Sequence, residues 1–264
     1  AIGTLPVEFN LYNLNANPYD TGVRIMEVDG DGLMDFVRSD DSRSGGGGGV
    51  YIHDGEVADL LTSLTTSLGG SVDVSYAASS ESGDNPELSF TVQVVESITT
   101  SDGLGNASTS SFQYADGSYY YESATEREFA GFGTVTETDA VGNVSVTYLH
   151  QGNGDDRSLI GKPYRVERYD ATSTLYETAI SDWDVTDLGN SRSFVSLADE
   201  VVLRYDGGSS HMDTAKGYTY NTSTGNTLIQ VGYGEVSAST DGTFTDTGSD
   251  YRTTTYTYAT DAAG

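Results

Sequence analysis

The sequence predicts an all-β protein, built as one large, twisted antiparallel sheet of stacked hairpins. Three observations predict it. Apolar and polar residues alternate with a period of two over many short runs, the spacing of half-buried strands. The 264 residues include 32 Gly, 19 Tyr and 8 Phe but only 4 Pro, a composition suited to hydrogen-bonded ladders. Gly, Asn and Asp pairs punctuate the runs, as hairpins require and helix-covered parallel sheets do not.

Residues 1–55 form a segment of their own, read as a short propeller-blade-like piece. It holds the acidic run Glu27-Val28-Asp29-Gly30-Asp31-Gly32-Leu33-Met34-Asp35 between apolar stretches. Five glycines, Gly45 to Gly49, read as a flexible linker. Val50-Tyr51-Ile52 then resumes a strand pattern.

Residues 56–200 form the main sheet region. Its first piece, 57–68, fits two patterns. Leu60, Leu61, Leu64 and Leu68 make a helical stripe, while Leu60, Leu64 and Leu68 also share one parity with Thr62 and Thr66 between them. The Thr/Ser content assigns it to strand. Clear strands follow. Val72, Val74 and Tyr76 share a face, as do Phe90, Val92 and Val94, then Phe112 and Tyr114, then Val144, Val146 and Tyr148. Thr134, Thr136 and Thr138 line one face of a more polar strand, with Val135 and Glu137 opposite. Val166 and Tyr169 break parity, which marks a bulge. Turns are predicted at Asp102-Gly103, Ala115-Asp116-Gly117, Gly142-Asn143, Gly152-Asn153-Gly154, Asp206-Gly207-Gly208 and Asp241-Gly242.

Residues 201–264 are weakly repetitive. Arg204-Tyr205-Asp206-Gly207, Tyr218-Thr219-Tyr220-Asn221 and Gly225-Asn226-Thr227-Leu228 share a pattern of Tyr-Asp, a turn, then Gly-Asn and an apolar residue, with a looser copy at Tyr169-Asp170. Such arrays stack hairpins against one another. The expectation is that the sheet continues beyond the residues given.

Charge excludes several functions. Twelve Lys and Arg face 40 Asp and Glu, a formal net charge of −28, which repels nucleic-acid phosphates and anionic lipid. No run approaches the ~18 apolar residues of a membrane span. The absence of Cys removes disulfides and thiolate chemistry. The first residues, Ala1-Ile2-Gly3-Thr4, lack the pattern of a signal peptide, so the expectation is a removed signal or an internal piece of a longer chain.

The acidic run has the spacing of a metal loop. Glu27, Asp29, Asp31 and Asp35, with the Leu33 carbonyl, offer hard oxygens at alternating positions, and Gly30 and Gly32 allow a tight turn. That chemistry suits calcium. It is not an EF-hand: counted from Glu27 the twelfth position is Arg38, and counted from Asp29 the fifth and sixth are Leu33 and Met34. His53, His150 and His211 are far apart and form no metal pair. Ser108-Thr109-Ser110 with Glu126-Arg127-Glu128 bears a superficial likeness to the Ser-Thr-Ser and Glu-x-Glu elements of ADP-ribosyltransferases, but the gap is short and ordinary ion pairing explains the Glu residues. Asn106, Asn143 and Asn221 head glycosylation sequons at turns, where Asn is common anyway.

A series of words carries a family resemblance. Asp59-Leu60-Leu61-Thr62-Ser63-Leu64 leads through Leu68-Gly69-Gly70 to a strand ending in Tyr76. Val92-Gln93-Val94-Val95, Glu126-Arg127-Glu128-Phe129-Ala130-Gly131-Phe132-Gly133, Tyr148-Leu149-His150-Gln151-Gly152 and Gly161-Lys162-Pro163-Tyr164 follow in order. The series resembles the middle region of the SpvB/TcB family, the B component of bacterial insecticidal toxin complexes. The loop at 27–35 looks like an FG-GAP/VCBS repeat, and the copies after 200 look like the start of Rhs/YD repeats. Glu27 stands where the family loop usually opens with Asp, and Ala130 where a basic residue is common.

The resemblance implies a secreted, non-catalytic module of a hollow β-sheet shell that encloses a toxic polypeptide. Its implied partners are an Rhs-containing C component, a translocation component and the enclosed toxin. The alternative is an extracellular structural protein, an adhesin or a self-associating filament subunit, since a piece of such a sheet exposes edges open to strand addition. An ADP-ribosyltransferase is the third reading.

Overall fold

The computed structural model describes residues 22–39, 48–55, 57–152 and 157–259. Strands β1 (Val23–Met26), β2 (Asp35–Arg38) and β3 (Gly49–Tyr51) form a small antiparallel sheet in the order β1-β2-β3. The strand expected at 50–52 therefore begins one residue earlier. Most of the glycine run lies outside the described residues, and Gly49 opens β3.

Every other strand among the described residues belongs to one sheet. Its strands are β4 (Ser63–Thr65), β5 (Ser71–Ala78), β6 (Gln93–Ser101), β7 (Ala107–Tyr121), β8 (Arg127–Thr138), β9 (Val144–Leu149), β10 (Pro163–Tyr169), β11 (Leu175–Gly189), β12 (Arg192–Tyr205), β13 (His211–Tyr220), β14 (Thr227–Ala238), β15 (Phe244–Asp246) and β16 (Arg252–Thr255). They pair antiparallel in sequence order from β4 to β15, and β16 pairs with β14 beside β15. Among the described residues the sheet does not close into a barrel. Helical content among the described residues is a single 3-10 turn, Arg157–Leu159. No helix among the described residues is long and apolar enough to cross a membrane.

The strand faces follow the alternation, with informative departures. The segment 57–68 is strand only over Ser63–Thr65, and Leu61, Leu64 and Leu68 are exposed. With no layer above them, their apolar spacing has nothing to pack against. Phe90 and Val92 precede β6 instead of lying in it. The Phe90 ring instead meets Tyr119 and Phe129 edge-on at 5.5 and 5.7 Å, a geometry favoured by ring quadrupoles. The expected bulge near 166–169 is present as a register shift between Arg168 and Tyr169.

One expected turn is not a turn. Ala115-Asp116-Gly117 lies inside the fifteen-residue β7. Asp116 has a φ of 57° and the pairing with β8 shifts just beyond Gly117. The ladder bonds lost there are replaced by the β5–β6 connection. Asp116 N–H donates to the Asp84 carbonyl at 2.8 Å. The Gly117 N–H donates to Asn85 Oδ1 at 2.7 Å, and Asn85 Nδ2 lies 2.9 Å from each of the carbonyls of Ser79, Ser82 and Tyr114. A polar loop held by one Asn thus stands in for a neighbouring strand.

Over much of its length the sheet is a single layer. All six residues of β9 are half-buried, whichever face they occupy. A closed core forms on one face toward the C-terminal end, where Val201, Leu203, Ala215 and Val236 are buried together with Ile180, Tyr205, Tyr233, Ala238 and Phe244 packed around them. It forms because the β14–β15 turn folds back over the sheet. Arg165 Nη1 donates to the Thr240 carbonyl at 2.9 Å, and Gly242 sits so close to Ile180 that a Cβ there would lie 2.8 Å from its Cγ2.

Hairpin turns at one end of the sheet reuse one device. Asp102 Oδ1 accepts the N–H groups of Leu104 and Asn106, and its Oδ2 accepts from Asn106 Nδ2. Asp139 does the same for Val141 and Asn143. Asp170 caps Thr172 and Thr174, and Asp241 caps Thr243. These are Asx turns, in which a short acid satisfies backbone donors that the hairpin leaves open.

Candidate functional site

The acidic run forms the connection between β1 and β2. Asp35, the first residue of β2, has no exposed surface. Its Oδ2 accepts the Val28 N–H at 3.0 Å and its Oδ1 the His53 N–H at 2.7 Å. Glu27 accepts the Gly30 N–H, Asp29 Oδ1 the Asp31 N–H at 3.4 Å, and Asp31 Oδ1 the Leu33 N–H at 2.7 Å. Gly30 and Gly32 take φ values of 91° and 84°, a region closed to most side chains.

Of the residues singled out by spacing, the fold brings three together. Glu27, Asp29 and Asp35 each present a carboxylate oxygen within 4.8 Å of the others. Asp31 lies outside that group and faces the Leu33 N–H. The donor set is hard oxygen throughout, which fits calcium in kind.

The same loop is also a junction, a role that spacing alone did not show. Ser80 Oγ, in the β5–β6 connection, donates to the Gly30 carbonyl, and Gln93 Nε2, on β6, donates to the Asp31 carbonyl at 2.7 Å. A Cβ at Gly32 would lie 3.0 Å from Gln93 Nε2. Both glycines thus serve the turn and the approach of the small sheet to the large one. The junction roles of Ser80 and Gln93 leave no local signal, since they act on backbone atoms 50 and 62 positions away in sequence.

The other candidates separate. His150 stacks near Tyr164, with centroids 5.0 Å apart, and His211 Nδ1 contacts the carboxylate of the buried Asp213, whose Oδ2 accepts the Ala238 N–H at 2.9 Å. Glu128 is ion-paired to Arg157 at 2.6 Å, and Arg157 lies over the Tyr120 ring at 4.1 Å. Glu128 pairs in register with Tyr120, ten residues along β7 from Ser110. At the rise of a strand that places roughly 30 Å between the Ser-Thr-Ser and Glu-x-Glu elements, too far for one catalytic site.

These elements define an all-β protein, an antiparallel meander joined through an acidic loop to a small three-stranded sheet. Comparison with known proteins gives the chain its family. The family described as "Insecticide toxin TcdB middle/N-terminal region" matches residues 6–150, and the chain belongs to it. Two solved structures share the fold, "Crystal Structure of TcdB2-TccC3-Cdc42" and "Crystal Structure of TcdB2-TccC3". Each is 16% identical with a TM-score of 0.57, and the matches cover 83% and 90% of this chain. The chain spans only 14% and 15% of those chains. No curated protein matches.

Proposed function

We propose that this chain is a non-catalytic wall segment of a secreted bacterial toxin complex and helps to enclose a toxic polypeptide. The carrying observation is a one-layer antiparallel sheet in a chain of the TcdB middle-region family. A one-layer sheet leaves both faces available, one toward a cavity and one toward solvent. The partners in this reading are an Rhs-containing C component, a translocation component and the enclosed polypeptide. In the same reading β1–β3 are an FG-GAP-like blade, and the hairpins after 200 begin a YD-repeat array. Electron microscopy of the full-length protein with its C component tests the wall. A hollow particle is expected, and a compact solid domain overturns the reading.

The convergence of Glu27, Asp29 and Asp35 supports calcium binding at the blade junction. Calcium there would neutralise three carboxylates and hold β1, β2 and the docking loop together. A ligand bound only by the folded state raises its melting temperature, so chelation is expected to lower it. Identical melting curves with and without calcium remove this assignment. The second reading, a filament subunit, rests on the outer edges of β4, β15 and β16, which pair with no described strand. Helical fibres formed by this chain alone would favour it.

A further inference from the structure

Gly232 is a glycine that the fold does not require. It lies inside β14, and its φ is outside the left-handed region. A Cβ built on it would meet only the Arg252 carbonyl oxygen, at an ordinary 3.9 Å. Gly234 is different: its φ is 70°, it sits at the register shift against β13, and a Cβ there would strike the Asp250 carboxylate. A strand interior disfavours glycine, and open space over one is where a ligand or another backbone comes close.

The flanks of that space are charged. Glu200, Lys216, Gly232 and Arg252 are direct partners in one row across β12, β13, β14 and β16, so all four share a face. Adjacent strands lie about 4.8 Å apart, which sets Lys216 and Arg252 about 10 Å apart with no side chain between them. Lys216 is held only by Glu200, at 3.5 Å and in an exposed position. Among the described residues Arg252 forms no ion pair or side-chain hydrogen bond. In a chain with 12 cations against 40 acids, an uncommitted Arg facing a Lys across an empty gap is unusual.

The gap opens into a cleft of about 400 Å³ that runs along the strands past Thr214 to Arg204. Arg204 is committed to Glu177 at 3.2 Å. Glu200 and Asp250 also line it. These acids repel a ligand dense in negative charge, whereas one carboxylate can meet both cations and form charge-assisted bonds to them. We propose that the Gly232 gap binds an acidic side chain carried on an extended, otherwise uncharged peptide segment. The carboxylate sits between Lys216 and Arg252, and the peptide backbone lies over Gly232.

The test uses the intact chain and a fluorescein-labelled pentapeptide with one central glutamate among serines and threonines, beside its glutamine twin. Anisotropy titration is expected to show the glutamine twin binding about tenfold more weakly, the order of one charge-assisted bond. Gly232→Val is expected to abolish binding of the glutamate peptide without lowering the melting temperature, because its side chain enters the gap and its Cβ meets nothing closer than 3.9 Å. Arg252→Gln is expected to weaken binding by a similar factor, and its exposed position keeps the test valid if Gly232→Val folds poorly. Equal binding of the twins, or binding indifferent to both variants, overturns the proposal. So does displacement of the peptide by equimolar inorganic phosphate, which would make this a small-anion site. None of these outcomes bears on the wall reading, which stands or falls with the particle.

Discussion

Asp35 is a carboxylate with no exposed surface, and both of its oxygens accept backbone N–H groups. Replacing it by Asn or Ala leaves at least one part-buried backbone donor without an acceptor, at a cost of about 1–3 kcal/mol. Asp35→Asn is therefore expected to speed hydrogen exchange at the Val28 and His53 amides. Unchanged protection there would show that Asp35 does not latch the blade. The acid turns predict a pH dependence. Hydrogen bonds from Asn106, Asn143, Thr172 and Thr243, with neighbouring backbone N–H groups, hold Asp102, Asp139, Asp170 and Asp241 below the ordinary carboxyl value. Their folded values lie below their unfolded ones, so the stability they lend is full above about pH 4 and is lost as pH falls through the folded values. Melting temperature is expected to drop on acidification below that point. The double variant Asp102→Asn, Asp139→Asn should show a shallower drop. At this scale the sequence was readable wherever partners are local, as in these turns and the clustered Glu27, Asp29 and Asp35. The role of Asn85 was not, because its four bonds reach residues up to 32 positions away.

The alternation of strands such as β8 and β9 was legible because each side chain's face is set by the pleat alone. What was not legible is how much each face buries. Val146 on β9 is half-buried in a single layer, while Leu203 on β12 is fully buried under the returning β14–β15 turn. Both read as ordinary members of an alternating run. Denaturant unfolding should separate them. Leu203→Ala is expected to cost about 3–5 kcal/mol, since it leaves a cavity in a closed core. Val146→Ala is expected to cost about 1 kcal/mol, since part of its surface is already in water. Equal losses would mean that the sheet has a second covered layer along β9. The expected turn at Ala115-Asp116-Gly117 has the same origin: the turn residues are real, but they make a bulge because the loop around Asn85 supplies the backbone partners beside them.

A sheet of this extent is a hazard at its edges, because an unpaired strand offers a template to another chain. Among the described residues the long strands lie inside the sheet and the edge strands are short. β7, β11 and β12 run 14 or 15 residues and are paired on both sides, whereas β4 and β15 have three residues and β16 has four. β14 would be a twelve-residue edge, but β16 covers Ile229–Gly232 and β15 covers Val236–Ala238. The interval between them is closed by side chains: Asp250 Oδ2 accepts the Glu235 N–H at 3.2 Å, and Thr247 Oγ1 donates to the Glu235 carbonyl at 3.1 Å. Removing residues from 239 onward uncovers the whole edge of β14, and the truncated chain is expected to associate by strand pairing. Asp250→Ala with Thr247→Ala opens only the interval and should associate less. Light scattering after size exclusion, over a range of concentrations, checks the order: intact chain least, double variant next, truncated chain most. An intact chain that assembles as readily as the truncated one would show that these short strands do not guard the edge. That result would move the filament reading ahead of the enclosed wall.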